Sequence, residues 1–352
     1  MATAARCRSA MSYAIPFWNK AIVIVDSIIL PRLSSTKLIA ILRFPMIVDC
    51  HTHIWDSPEQ VGQPSPERPG AIHRMPQSVL ARGGPFDASM EQHLLASEPV
   101  DKSFVLGFKS RYLGLEIPLE LVSSYIRQHP EKLIGVAGID PTNLGEALAD
   151  VRRAHAELGM KAVTVSPAAQ DFHPADSRAM QVFAEAARFK MPVLVDQGIH
   201  FSAASKMEFA RPALLDEVAR ELPQLKLVIA HMGYPWVEEC IVLLGKHPNV
   251  YADISSLMHR PWQAYNALLS AYQYGVMDKL LFGSDFPYTS ATTAIESLYR
   301  INQLVTGTNL PTVPRQQLVA IVERDAIGLL DIDTAVTIRG ESNRSLLEPT
   351  EA

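Results

Sequence analysis

Met46-Ile47-Val48-Asp49-Cys50-His51-Thr52-His53 reads as one short apolar strand that ends in two histidines. Residues two apart in a strand point to the same side. His51 and His53 therefore project together from its end, as a ready pair of ligands for a borderline ion such as Zn²⁺. A His-x-His taken alone is more simply two satisfied surface histidines. Here it follows the buried run Ile47-Val48-Asp49, and that position favours a site.

Outward from this strand the same rhythm repeats. Further apolar runs occupy Ser103–Gly107, Leu133–Ile139, Lys161–Val165, Pro192–Asp196, Leu225–His231, Asn249–Asp253 and Lys279–Asp285. Helical patterns separate them, such as Leu144–Leu158, Ser177–Phe189 and Arg211–Leu222. Alternating strands and helices argue for βα units on a parallel sheet. Eight such runs are what an α/β fold of the closed (β/α)8 TIM-barrel type requires, with its active site at the C-terminal ends of the strands.

Residues 55–86 break the rhythm. Pro58, Pro64, Pro66, Pro69, Pro76 and Pro85, with Gly62, Gly70, Gly83 and Gly84, prevent regular structure. The segment follows the first strand, so it is expected to cap the barrel mouth, with a plain surface insertion as the simpler reading. Residues 1–45 hold Arg6, Arg8, Lys20, Arg32, Lys37 and Arg43 against one acid, Asp26. They are expected to be a disordered extension, with the barrel domain at 46–332 and a flexible tail at 333–352. The apolar run Ala21–Leu30 is too short to span a bilayer as a helix.

Composition bounds the function. Hydrophobic residues make up 48% and charged residues 20%, which allows a large core. A net charge of -5 gives no electrostatic reason for nucleic acid or an anionic membrane as partner. Cys7, Cys50 and Cys240 are odd in number and far apart. They imply neither a disulfide framework nor a Cys-based zinc site, and favour a cytoplasmic compartment. Strand alternation is expected to turn Cys50 away from its histidine neighbours, which argues against a catalytic thiol.

Other runs end in residues that carry chemistry. Asp285 closes Phe282-Gly283-Ser284-Asp285, where a buried acid needs a partner such as a metal. Its alternative as a helix cap is weakened by Pro287 and Tyr288, which precede any helical pattern. His231 ends Ile229-Ala230-His231, where it either takes a proton or serves as a further ligand, with a core histidine bonded to backbone as the simpler reading. Trp55 and His173 are candidates to touch a small-molecule substrate, with plain packing and an ordinary loop histidine as the simpler readings. Asp253 would bond a histidine behind the metal or begin a turn.

Together these stretches resemble the amidohydrolase superfamily, in the amidohydrolase-related branch that includes aminocarboxymuconate semialdehyde decarboxylase. The resemblance runs from Met46 to Ile332 and rests on Val48–His53, Gly159–Val163, Met191–Val195, Ala230-His231-Met232-Gly233, Leu281–Pro287 and Ile321–Leu330. It implies that His51, His53 and Asp285 are metal ligands, that Asp285 can shuttle a proton, and that His231 activates water or orients substrate. The branch usually ends its fifth strand in a metal-binding histidine, whereas this chain has Asp196 there. A carboxylate at that place suits Zn²⁺ or Mn²⁺, and His200 lies nearby as a substitute. Binuclear members carry a modified lysine near the end of strand four; here Lys161 stands at its start, which implies one divalent ion.

The expected reaction is hydrolysis. One ion, Zn²⁺ or else Mn²⁺, held by His51, His53, Asp196 and Asp285, would lower the pKa of bound water toward about 7 for attack on an ester, lactone or amide carbonyl. The rivals are non-oxidative decarboxylation of an unsaturated or aromatic carboxylate, and a non-catalytic binding barrel. Homo-oligomers are a family-level implication.

Overall fold

Each of the eight apolar runs forms a strand in the computed structural model, which describes residues 45–62, 86–198 and 202–333. In chain order the strands are β1 Val48–His53, β2 Lys102–Leu106, β3 Phe108–Ser110, β4 Leu115–Ile117, β5 Leu133–Gly138, β6 Ala162–Val165, β7 Val193–Val195, β8 Leu227–Ile229, β9 Val250–Asp253 and β10 Leu280–Leu281. The main sheet runs β1-β2-β5-β6-β7-β8-β9-β10, all parallel. Backbone bonds close it into a barrel. Cys50 N–H donates to Phe282 O at 2.9 Å, Asp285 N–H to His51 O at 2.9 Å and His53 N–H to Phe286 O at 2.8 Å.

Strands covered on both faces read as continuous apolar runs, and the two faces feed two cores. Val48, Cys50, Phe104, Leu106, Val136, Leu194, Val228 and Leu281 fill the barrel interior. Ala326 and Ile327 of the helix Ala326–Leu329, with Leu330 and Ile332 just after it, join them, beside Met46 ahead of β1. Val105, Ala137, Val163, Val193, Ile229 and Ala252 face outward against the helices, meeting residues such as Val151, Phe183, Val218 and Leu268.

The helices at Leu144–Ala156 and Ser177–Arg188 follow the sequence pattern. The stretch expected as one helix from Arg211 is divided into a 3₁₀ turn at Pro212–Leu214 and a helix at Leu215–Glu221. The antiparallel hairpin of β3 and β4 carries no periodicity long enough to read in advance. It leaves β2 through Gly107 and crosses Gly138 so closely that a Cβ on Gly138 would lie 2.4 Å from Phe108 N.

β1 departs from regular alternation. Its pairing with β2 advances three residues from Asp49 to Thr52 while β2 advances two, from Ser103 to Val105. This bulge corrects the expectation for Cys50. The thiol lies on the inner side, in the core beneath the histidines, rather than turned away from them. Burial, then Asp49 and Asp253, hold it well above its ordinary pKa, so it remains an inert core residue.

The proposed cap is described only at its edges. Ser57 caps a 3₁₀ turn at Pro58–Val61, and Val61 faces the barrel mouth. Residues 63–85 lie outside the described residues, as do 1–44, His200 and 334–352. Among the described residues no helix is long and apolar enough to cross a membrane.

Candidate metal centre

The bulge in β1 lets both histidines face the cavity at the C-terminal end of the barrel. His51 Nε2 and His53 Nε2 face each other at 3.1 Å. The far side of His51 is fixed, because its Nδ1 lies 3.0 Å from Asp253 Oδ2. The other oxygen, Oδ1, accepts from His231 N–H and Ser255 N–H at 3.0 Å each, and from the Ser255 hydroxyl. That hydroxyl proton is then spent on Asp253. The contacts of His231 Nδ1 to Ser255 Oγ at 2.7 Å and Ser255 O at 3.1 Å therefore require N–H at Nδ1. Hydrogen bonding so fixes the nitrogen that keeps its proton: in their neutral forms His51 and His231 carry N–H at Nδ1 and turn the Nε2 lone pair to the cavity.

Asp285 completes the group. His51, His231 and Asp285 each offer one ligand atom, and these lie within 4.8 Å of one another. The Asp285 backbone is tied to β1 through His51 O. His231 and Asp285 both adopt the left-handed region, with φ of 56° and 67°. Non-glycine residues held there cost about 1–3 kcal/mol each, and such strain collects at working sites.

The electrostatics favour positive charge at the centre. Burial alone would lower the His51 pKa, but Asp253, Asp285 and Asp196 together raise it to about 9. His53 falls to about 4, first through burial and then through repulsion from His51. Burial works against the Asp253 carboxylate, yet the charge and hydrogen bond of His51, with His231 and Ser255, hold it well below the usual range. Two imidazole nitrogens and a carboxylate converge, and the outer nitrogens are already bonded to a carboxylate and a serine. That donor chemistry and its support fit a divalent ion.

The remaining candidates fall on either side of this cluster. Asp196 ends the fifth barrel strand as expected, where its Oδ2 accepts from Ser166 Oγ at 2.8 Å. Its Oδ1 stands 3.8 Å from His231 Nε2, beside the three clustered groups. Trp55 is buried and walls the cavity with Tyr288, their rings 6.3 Å apart. His173 does not line the cavity. It is exposed on its loop, where its Nδ1 accepts from Ala175 N–H at 3.1 Å. A chain turn after β6 carries it away, which adjacency in sequence does not reveal.

Sequence reasoning missed several lining residues. Arg260 and Tyr234 line the cavity, with the guanidinium carbon 5.3 Å from the Tyr234 ring centre. Lys109 from the hairpin also lines it, but Glu146 at 2.7 Å, Asp150 at 2.8 Å and Glu116 at 3.9 Å already surround its ammonium. No short motif marks these positions, since each reaches the cavity from a different loop.

Comparison with protein families agrees with this architecture: a model described as amidohydrolase matches residues 48–311. The chain belongs to the amidohydrolase family. No curated protein matches it by sequence. Solved amidohydrolase-like structures share the fold at low identity. A probable 2-pyrone-4,6-dicarboxylic acid hydrolase from Acinetobacter baumannii, with citric acid bound, is 16% identical with a TM-score of 0.54, covering 81% of this chain and 99% of that one. A 5-carboxyvanillate decarboxylase from Novosphingobium aromaticivorans, complexed with manganese and 4-hydroxy-3-methoxy-5-nitrobenzoic acid, is 11% identical with a TM-score of 0.58, covering 82% and 96%. A 2,6-dihydroxybenzoate decarboxylase from Rhizobium is 13% identical with a TM-score of 0.56, covering 82% and 99%.

Proposed function

We propose that this amidohydrolase is a metal-dependent carboxy-lyase that decarboxylates an aromatic or unsaturated carboxylate. The observation that carries the reading is one cavity lined both by the His51, His231 and Asp285 cluster and by the Arg260 guanidinium. Burial lowers the Arg260 pKa, with Tyr234 and Asp285 opposing that shift, so its charge is partly desolvated. A desolvated guanidinium gains most from a bound carboxylate, which it can hold through two parallel hydrogen bonds. Trp55, Phe108, Tyr234 and Tyr288 offer flat apolar walls for a planar substrate. The acids named for the three solved relatives support a carboxylate substrate, and two of those relatives are decarboxylases.

His51, His231 and Asp285 would hold the ion, with His53 and Asp196 beside them. A divalent cation there would supply Lewis-acid stabilisation of negative charge on substrate oxygens. The manganese bound in one relative and the carboxylates around the cluster favour Mn²⁺ over the Zn²⁺ expected from the sequence. Arg260 orients the substrate and the aromatic walls exclude water. Asp285 relays a proton taken from solvent to the ring carbon as the bond to the carboxylate breaks. The bonding electrons form the new C–H bond, CO2 leaves, and solvent reprotonates Asp285.

Hydrolysis at the same cluster is the second reading, favoured by the resemblance to the pyrone dicarboxylate hydrolase. The test is incubation of Mn²⁺-loaded protein with a panel of hydroxybenzoates and lactone carboxylates. CO2 release matched by a decarboxylated product is the expected result. Ring opening without CO2 would replace this reading with hydrolysis.

A further inference from the structure

We propose that His93 is a positioning residue for the metal centre, acting on the bulged ligand strand through Thr52. The proposal rests on the metal reading above and adds a residue that lies outside the cavity. His93 sits in the helix Met90–Ala96, fully buried on the outer side of β1. Its Nδ1 is 2.7 Å from the Tyr125 hydroxyl and its Nε2 is 2.8 Å from Thr52 Oγ1.

The protons along this path can be assigned. Thr52 Oγ1–H donates to Phe104 O at 2.5 Å, so Thr52 must accept from His93. Nε2 therefore carries the proton, and Nδ1 accepts from the Tyr125 hydroxyl. Burial, then Lys132 and His53, lower the His93 pKa to about 3, so the ring is neutral and has one proton to give. The Tyr125 hydroxyl also lies 3.1 Å from Met90 O, and Ser103 Oγ stands 3.3 Å from His93 Nε2, both longer contacts than the 2.7 Å and 2.8 Å bonds of the path.

Thr52 is the residue between the two histidines, and it lies where β1 resumes its register after the bulge. An extra residue in a strand leaves local backbone freedom that something must remove. The bond from His93 and the bond to Phe104 O pin Thr52 to the outer side. With Thr52 held there, His51 and His53 on either side are committed to the cavity. A cation held by His51 would otherwise have to order this strand as it binds.

The experiment measures Mn²⁺ affinity of the purified full-length protein by chelator competition, alongside thermal melting. Supporting groups behind metal ligands typically change affinity about 10–100-fold when removed. His93→Phe and Thr52→Val are each expected to weaken Mn²⁺ binding by at least about 10-fold. The double variant should be little worse than either, because both break one path. His93→Gln, which keeps a donor near the Nε2 position, should bind within a few-fold of wild type. Leu318→Ala, a buried change in the helix Arg315–Val322, serves as a control that lowers stability without moving affinity. Thr52→Val removes one hydroxyl at nearly constant shape, so it answers the question even where His93→Phe does not fold. Wild-type affinity in Thr52→Val would overturn the positioning role while leaving the metal reading intact. Failure of the wild-type protein itself to bind Mn²⁺ would overturn both.

Discussion

Val48 and Cys50 lie in the apolar floor of the barrel, whereas His51 and His53, further along the same strand, belong to its polar rim. The floor is closed by aliphatic side chains from residues 326–332, and none of its core residues takes a positive φ, although Asp331 between Leu330 and Ile332 does. The rim buries Asp253, His51 and Asp285, and carries His231, Met232, Ser256 and Asp285 in the left-handed region. One barrel thus separates two tasks along its axis. Packing at the bottom holds the strands in place, and the strained, charged top is tolerated because that packing is there.

The comparison breaks if a rim change acts mainly through stability. Asp285→Asn keeps the shape but loses the charge and the transferable proton. Turnover should fall about 10²–10⁴-fold, the usual worth of a positioned acid or base, with the melting temperature close to wild type. Wild-type turnover in that variant would take Asp285 out of the reaction. The floor should behave in the opposite way. Leu330 is fully buried in the inner core. Leu330→Ala should cost about 2–5 kcal/mol in denaturant unfolding, while turnover of the folded protein stays near wild type.

Asp196 sharpens the boundary of the rim, because it stands beside the clustered groups rather than among them. Asp196→Asn should weaken Mn²⁺ affinity by about 10-fold, and Asp196→His should move preference toward Zn²⁺. Unchanged metal content, preference and turnover would reduce Asp196 to a partner of Ser166. The smallest effect at neutral pH belongs to His93. Its pKa is lowered from 6.5 to about 3, so the unfolded chain binds a proton there before the folded chain does. Its contribution is complete above pH 6.5 and is lost as pH falls from 6.5 toward 3. The stability difference between wild type and His93→Gln should therefore shift against wild type across that window, as read by melts at successive pH values. A difference independent of pH would mean that His93 titrates normally.

The sequence by itself determined the barrel and most of its rim. Eight apolar runs at βα spacing are the count a closed barrel needs, and each run that ends in a polar residue delivers it to the strand's C-terminal end. His51, His53, Asp196, His231 and Asp285 were legible for that reason, and the amidohydrolase resemblance rested on the same strand ends. Only the tertiary structure decided how these groups meet. Strand periodicity carries no sign of the bulge that places Cys50 and His51 together on the inner side. Nor does it show that Asp253 fixes both His51 and His231, since those contacts span 202 and 22 residues. Arg260 and Tyr234 reach the cavity from loops, and His93 backs β1 from a helix, where local patterns mark only ordinary turns and packing. Position along a strand is a local property that side-chain alternation encodes, whereas convergence across strands depends on closure of the barrel, which no local pattern contains.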